Sequence, residues 1–179
     1  MALRYAVYDT RAGDVTIIAK EKALARLIFG VVDPLGALNE ENTSLYDAIM
    51  EINQFFFGQR HSFDVKLDPD GTPFEKKVYE YVSTIPYGET RTFDEVAAAI
   101  GEPKAAHAVA LALSHNPLPL FIPCHRVVGK DGELVCYVGG RLGLKKKILE
   151  LEKANFNPLI KKNRLRHPNG PRLALTKRA

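Results

Sequence analysis

The chain has 179 residues, 46% of them hydrophobic, with two cysteines and no tryptophan. That is enough to bury the core of one large or two small domains, while two thiols are too few for a disulfide scaffold or a four-ligand zinc site, and no metal or other cofactor is expected. The net charge of +4 is compatible with a nucleic-acid partner, and with neither a secretory signal nor a membrane-length apolar run in the sequence, no membrane partner is expected and the cytoplasm, or the nucleus in a eukaryote, is the expected setting.

Residues 4–9 and 14–19 are β-branched and aromatic runs separated by Arg11-Ala12-Gly13, and Ala25 to Val32 is a third candidate strand; together they predict a small antiparallel sheet. After Asp33-Pro34-Leu35-Gly36, residues 44–57 suit a helix, with Leu45, Ile49, Ile52, Phe55 and Phe56 at helical spacing, and Ser62 to Leu67 predicts a further strand. Asp68-Pro69-Asp70-Gly71 packs turn formers between two patterned stretches and reads as a linker, which closes an α/β domain over residues 1–71.

Beyond the linker, Thr72-Pro73 offers an N-cap and a first-turn proline for a helix over 73–83, with Phe74, Val78, Tyr81 and Val82 inward. Thr92-Phe93-Asp94-Glu95 is a capping box that starts a short helix running to about Ala99. Gly101 supplies a turn, and Pro103 is expected to start a second helix, rich in alanine, through Leu113. Two short helices joined by a tight glycine turn have helix-turn-helix dimensions, although many such hairpins bind nothing. A last helix, Leu142 to Lys153, follows the Gly139-Gly140 pair and completes a mainly α domain over 72–155. The segment after Glu152 holds eight basic residues and no acidic ones, against 17 basic and 21 acidic residues before it. Residues 156–179 thus form a basic tail, read either as a phosphate-contacting arm or as a solvated end.

The stretch richest in chemistry is Phe121-Ile122-Pro123-Cys124-His125-Arg126-Val127-Val128, which sets a thiol against an imidazole and a guanidinium between apolar runs. A thiol attacks as its thiolate, and a basic imidazole or nearby positive charge is what makes the thiolate accessible. Glu150 and Glu152 on the last helix are candidates for the acid that orients the imidazole. The plainer alternatives are a small hydrophobic cysteine, a satisfied core histidine, and glutamates facing solvent opposite Lys146 and Lys147.

From Ile85 to Glu152 the chain resembles the O6-alkylguanine-DNA alkyltransferases. The matching pieces are Ile85-Pro86-Tyr87-Gly88-Glu89-Thr90, Pro103-Lys104-Ala105-Ala106, Asn116-Pro117, Ile122 through Gly129, Gly132 with Leu134, Tyr137 with Gly139-Gly140, and Leu149-Glu150-Leu151-Glu152. The resemblance implies single-use DNA repair in which Cys124 takes an alkyl group from O6-alkylguanine, and from O4-alkylthymine in some settings. It implies that Glu152 acts through His125 and a water to generate the thiolate, while Asn116 and Arg126 hold the active-site loop. The protein would act as a monomer on the minor groove of duplex DNA, with Thr92, Lys104, Ala105, Ala106, His107, Ala108 and Ala110 near the DNA and the damaged base flipped out. Phe93, Val127, Tyr137 and Val138 would hold that base, and the N-terminal domain would be ribonuclease H-like.

Four positions depart from the family pattern. Phe93 stands where a tyrosine usually donates a hydrogen bond to the leaving guanine, and His107 stands where an arginine fills the space of the flipped base. Arg141 reads as an insertion after the glycine pair, which keeps Glu150 as the alternative to Glu152. Cys136 replaces a glycine or asparagine; it reads as a loop residue, and a reducing compartment weighs against a standing disulfide with Cys124. Two competing functions follow: an alkyltransferase-like protein that binds the lesion with little or no transfer, and a thiol hydrolase using Cys124 and His125.

Overall fold

The computed structural model describes residues 2–156; the expected basic tail, from residue 157 onward, lies outside the described residues. These divide into two units, the first ending at Asp70 and the second beginning at Gly71. No helix among the described residues is long and apolar enough to cross a membrane.

In the first unit β1 (Leu3–Thr10) and β2 (Gly13–Lys20) form a hairpin with Tyr8 opposite Val15, and β3 (Ala23–Phe29) pairs antiparallel with β2. β3 stops at Phe29 rather than Val32, because the buried Thr16 hydroxyl bridges the chain beyond it, donating to Gly30 O at 2.8 Å and accepting from Val32 N at 3.0 Å. A fourth strand, β4 (Ala37–Asn39), then runs parallel beside β1, giving the order β3-β2-β1-β4. The sheet is therefore mixed and not purely antiparallel as expected. Three residues at an edge, with Leu38 exposed, carry no alternation a sequence reading can detect. Helix α1 (Thr43–Phe56) is capped by the Asn42 side chain, which accepts from Leu45 N at 2.9 Å, and buries Leu45, Ala48, Ile49, Ile52, Phe55 and Phe56.

The expected strand over 62–67 is absent. Glu51 Oε2 accepts from Asp64 N at 2.9 Å and from Val65 N at 3.5 Å, so a side chain takes the amides a ladder would need. What remains of sheet pairing is a single bridge between Leu24 and Leu67.

The second unit opens with α2 (Pro73–Val82), which has a complete capping box between Thr72 and Glu75. Tyr79, not Tyr81, turns inward, and its hydroxyl donates to Ala112 O at 3.1 Å. The two-residue strand β5 (Arg91–Thr92) leads into α3 (Phe93–Ala99), whose capping box joins Thr92 and Glu95 as expected. Gly101, at φ +80°, makes the turn in a region that costs a residue with a Cβ. The next helix, α4 (Ala106–Ser114), starts three residues later than the Pro103 expected. Ala105 N donates to Glu102 O at 2.9 Å, closing a separate turn over Pro103 and Lys104, and Ala105 itself is the cap residue.

From Asn116 to Gly129 every residue is buried. This run contains the 3-10 turn Cys124–Arg126 and β6 (Val127–Val128), which pairs in parallel with β5 so that Arg91 faces Val127 and Thr92 faces Val128. Two more 3-10 turns, Lys130–Gly132 and Val138–Gly140, precede α5 (Leu142–Asn155).

Candidate active site

A buried irregular backbone must find partners for its polar groups, and here Asn116 supplies them. Its Nδ2 donates to Ile122 O and its Oδ1 accepts from Leu118 N, each at 3.0 Å, while Ile122 N reaches Leu118 O at 2.9 Å. Leu120, between these anchors, sits at φ +74°, a left-handed conformation that costs a leucine on the order of 1–3 kcal/mol and persists only where its surroundings fix it. The loop is thus held rigidly up to Pro123, and Cys124 begins the turn that follows.

Cys124 is 3% exposed. Burial pushes its thiol up to about 11, against the opposing pull of the Asn116 amide and the Lys145 ammonium. At rest it is a protonated thiol, and forming the thiolate at neutral pH costs about 5 kcal/mol.

Beside it, the fully buried His125 places Nε2 at 2.6 Å from Glu152 Oε1. Burial pushes the imidazole down from its usual range, with the Glu152 carboxylate pulling the other way, so at neutral pH the ring is neutral and donates Nε2–H. Burial alone would raise Glu152, but His125 and then Arg126 outweigh it and hold the carboxyl at about 2. Arg126 donates through Nε to both carboxylate oxygens at 3.0 Å and through Nη2 to Oε1 at 2.7 Å, and its Nη1 donates to Ile85 O at 2.7 Å. Gly88 N adds a bond to Oε2 at 3.1 Å. Gly88 has φ +78°, and a Cβ there would lie 2.3 Å from the Phe156 ring, so only glycine brings this amide to the carboxylate. It is Glu152 that α5 turns onto His125; Glu150 is exposed.

The Cys124 thiol shares a tight pocket with Phe93, Leu113, Cys136, Tyr137 and Lys145. Lys145 is the pocket residue that sequence reasoning missed, standing as the first of three consecutive lysines. A signal was present: Lys145, Ile148 and Glu152 are spaced by three and four along α5 and form its buried face. Lys145 is 0% exposed, donates to Val127 O at 2.6 Å and to Cys136 O at 2.9 Å, and lies 5.9 Å from the centre of the Phe93 ring. Burial lowers its ammonium from the usual lysine range, with both thiols opposing.

Phe93, the first residue of α3, and Tyr137 form pocket walls, and Val138 begins the 3-10 turn behind Tyr137. The Val127 carbonyl is engaged by Lys145, and its amide donates to Cys124 O. On α4, His107 and Ala108 are exposed, whereas Ala106 and Ala110 are half-buried. Leu111, absent from the expected set, is 55% exposed on the same helix. Lys104 is exposed in the turn before it, and Thr92 and Ala105 are half-buried cap residues. No three His, Cys, Asp or Glu side chains gather as metal ligands among the described residues.

Residues 3–69 match the 6-O-methylguanine DNA methyltransferase ribonuclease-like domain, and residues 73–154 match the DNA binding domain of the same family. The constitutive methylated-DNA–protein-cysteine methyltransferase of Bacillus subtilis is 35% identical over 159 residues, covering 85% of this chain and 96% of the relative. That of Methanosarcina barkeri is 40% identical over 158 residues, covering 85% and 98%. The crystal structure of Mycobacterium tuberculosis OGT in complex with DNA superposes with a TM-score of 0.79 at 38% identity, covering 85% of this chain and 94% of that one. With both domains matched and relatives aligned over nearly their whole length, the chain belongs to the O6-methylguanine DNA methyltransferase family.

Proposed function

We propose that this methylated-DNA–protein-cysteine methyltransferase uses Cys124 Sγ as the alkyl acceptor, with His125 as its base and Glu152 as the group that holds and stabilises the imidazole. The observation that carries the reading is the 2.6 Å contact between His125 Nε2 and a carboxylate already neutralised by Arg126. Because Nε2 donates to Glu152, the proton leaving the thiol goes to Nδ1, directly or through a water. The resulting imidazolium faces Glu152, and the developing thiolate shares its pocket with Lys145.

The thiolate then displaces guanine at the alkyl carbon. The S–C bond forms as the C–O bond breaks, the electron pair leaves on the base, and the thiol proton ends on guanine. The thioether has no route back, so one molecule serves one lesion. Tyr137 and Phe93 sandwich the base, Val138 lends backbone, and Val127 shapes the site through the Lys145 bond. Phe93 offers a ring face and no donor, which leaves the departing guanine without one hydrogen bond where its charge develops.

A base in a duplex cannot reach a buried thiol, so the lesion must be flipped, at a cost of a few kcal/mol. Ala106, Ala108 and Ala110 keep α4 slim enough for the minor groove, His107 fills the vacated space, and Thr92, Lys104 and Ala105 meet the flanking backbone. Asn116 and Arg126 fix the loop and the carboxylate and touch no substrate.

The test is incubation with excess duplex carrying one O6-methylguanine, followed by intact and peptide mass, with Cys124→Ser as control. One added methyl on Cys124, absent from the control, is the expected result. A protein that binds the duplex and stays unmodified on prolonged incubation would instead be a lesion-recognition protein.

A further inference from the structure

We propose that Cys124 and Cys136 close into a reversible disulfide under peroxide, so that oxidation takes the acceptor thiol out of service without consuming it. The inference rests on Cys124 being the acceptor. Both cysteines are free thiols, and both line the same pocket as Lys145.

Their settings differ in the way such a pair requires. Cys124 is fixed at the end of the buried run, whereas Cys136 is half-buried on Glu133–Tyr137, a segment without helix or strand between two 3-10 turns. The bond from Lys145 Nζ to Cys136 O keeps residue 136 at the pocket while leaving its side chain to rotate. A disulfide needs the two Cα atoms within about 7 Å, and irregular backbone can close such a gap where a ladder cannot. The same buried ammonium favours the thiolate of both residues, in each case against burial.

The chemistry balances with hydrogen peroxide as oxidant. Cys136, the more accessible sulfur, attacks the O–O bond and becomes a sulfenic acid, releasing water. The Cys124 sulfur then displaces hydroxide from it, and the Cys124 proton leaves with that hydroxide as a second water. Two thiols lose two electrons and two protons; peroxide takes up both. Exchange with a small thiol reverses the bond, and in a reducing compartment the resting state is the dithiol. Without Cys136, peroxide has no accessible thiol beside the acceptor to oxidise first, and the buried Cys124 thiol stays reduced.

The full chain is treated with hydrogen peroxide and examined by non-reducing peptide mass, thiol titration and methyl uptake from the O6-methylguanine duplex. The peptides of Cys124 and Cys136 should be joined, both free thiols should disappear, and uptake should fall about tenfold or more, all restored by dithiothreitol. Cys136→Ser and Cys136→Ala, each compared with its own untreated form, should keep most of their uptake through the same treatment. Separately oxidised cysteines, bridges between two molecules, or a loss of uptake in the treated variants as large as in the parent chain would overturn the proposal while leaving Cys124 as acceptor. The joined peptide in a protein whose untreated form takes up no methyl would instead overturn the acceptor reading, since the bridge is detected without any transfer.

Discussion

Replacing Glu152 by glutamine tests the centre of the site. The carboxylate, 1% exposed, accepts three bonds from Arg126 and one from Gly88 and holds the fully buried His125. Glutamine keeps the shape but leaves the Arg126 guanidinium buried without a counter-charge, a change that costs about 3–5 kcal/mol. Holding the carboxyl at about 2 rather than 4.5 independently corresponds to roughly 3 kcal/mol of stability at neutral pH. Urea unfolding followed by tyrosine fluorescence, unobscured because the chain has no tryptophan, should show a loss of that size. The double variant Glu152→Gln, Arg126→Met should recover part of it, because no unpaired charge remains. Single-turnover transfer should fall by about 10²–10⁴-fold in the single variant, the usual share of a positioned base and its orienting group. A stability loss under about 1 kcal/mol together with an unchanged rate would refute the relay; the corresponding Glu150→Gln is expected to change neither.

Phe93→Tyr should speed transfer by up to about 10²-fold in quenched-flow assays by supplying a donor to the leaving base, and an unchanged rate would show that the pocket already provides one. With its thiol near 11, Cys124 should react with iodoacetamide about tenfold faster for each pH unit from 7 to 9, read site by site by mass, and a plateau below pH 8 would contradict the burial argument. Lys145→Met should cost about 1–3 kcal/mol by leaving the Val127 and Cys136 carbonyls unpaired, and should also slow Cys124 alkylation; a stability loss without the reactivity change would make Lys145 purely structural. Stability should fall on acidification in two stages. His125, its folded pKa depressed, gives up its contribution as pH drops below its unfolded value near 6.5, and Glu152 loses its own between 4.5 and about 2. A circular dichroism titration showing no loss until pH 3 would refute the first stage.

Where a single local signal determined the outcome, the sequence was readable. The Thr92–Glu95 capping box and the apolar spacing of α1 each specify an element without help from distant residues. The failures came where a partner far along the chain decides. Glu51 removes the strand at 62–67, Thr16 ends β3, and the edge of β1 organises β4 from three residues with little pattern of their own. Within the site, the Cys-His-Arg run announces itself because its chemistry is adjacent in sequence. Lys145 did not, because a lysine among lysines looks solvated until the phase of α5 is set from Glu152.

Thr92 is at once the cap of α3 and the pairing partner of Val128 in the two-residue ladder between β5 and β6. The root of the first helix of the hairpin is thereby stitched to the strand that follows the Cys124 turn. A lever with so short an arm has little slack: a push that tilts α3 is felt at Val127 and Val128, and through them at the Lys145 bond. On the proposed reading, in which α3 and α4 face the duplex, that surface and the turn that carries Cys124 travel as one piece, and seating the helices would also set the aim of the thiol.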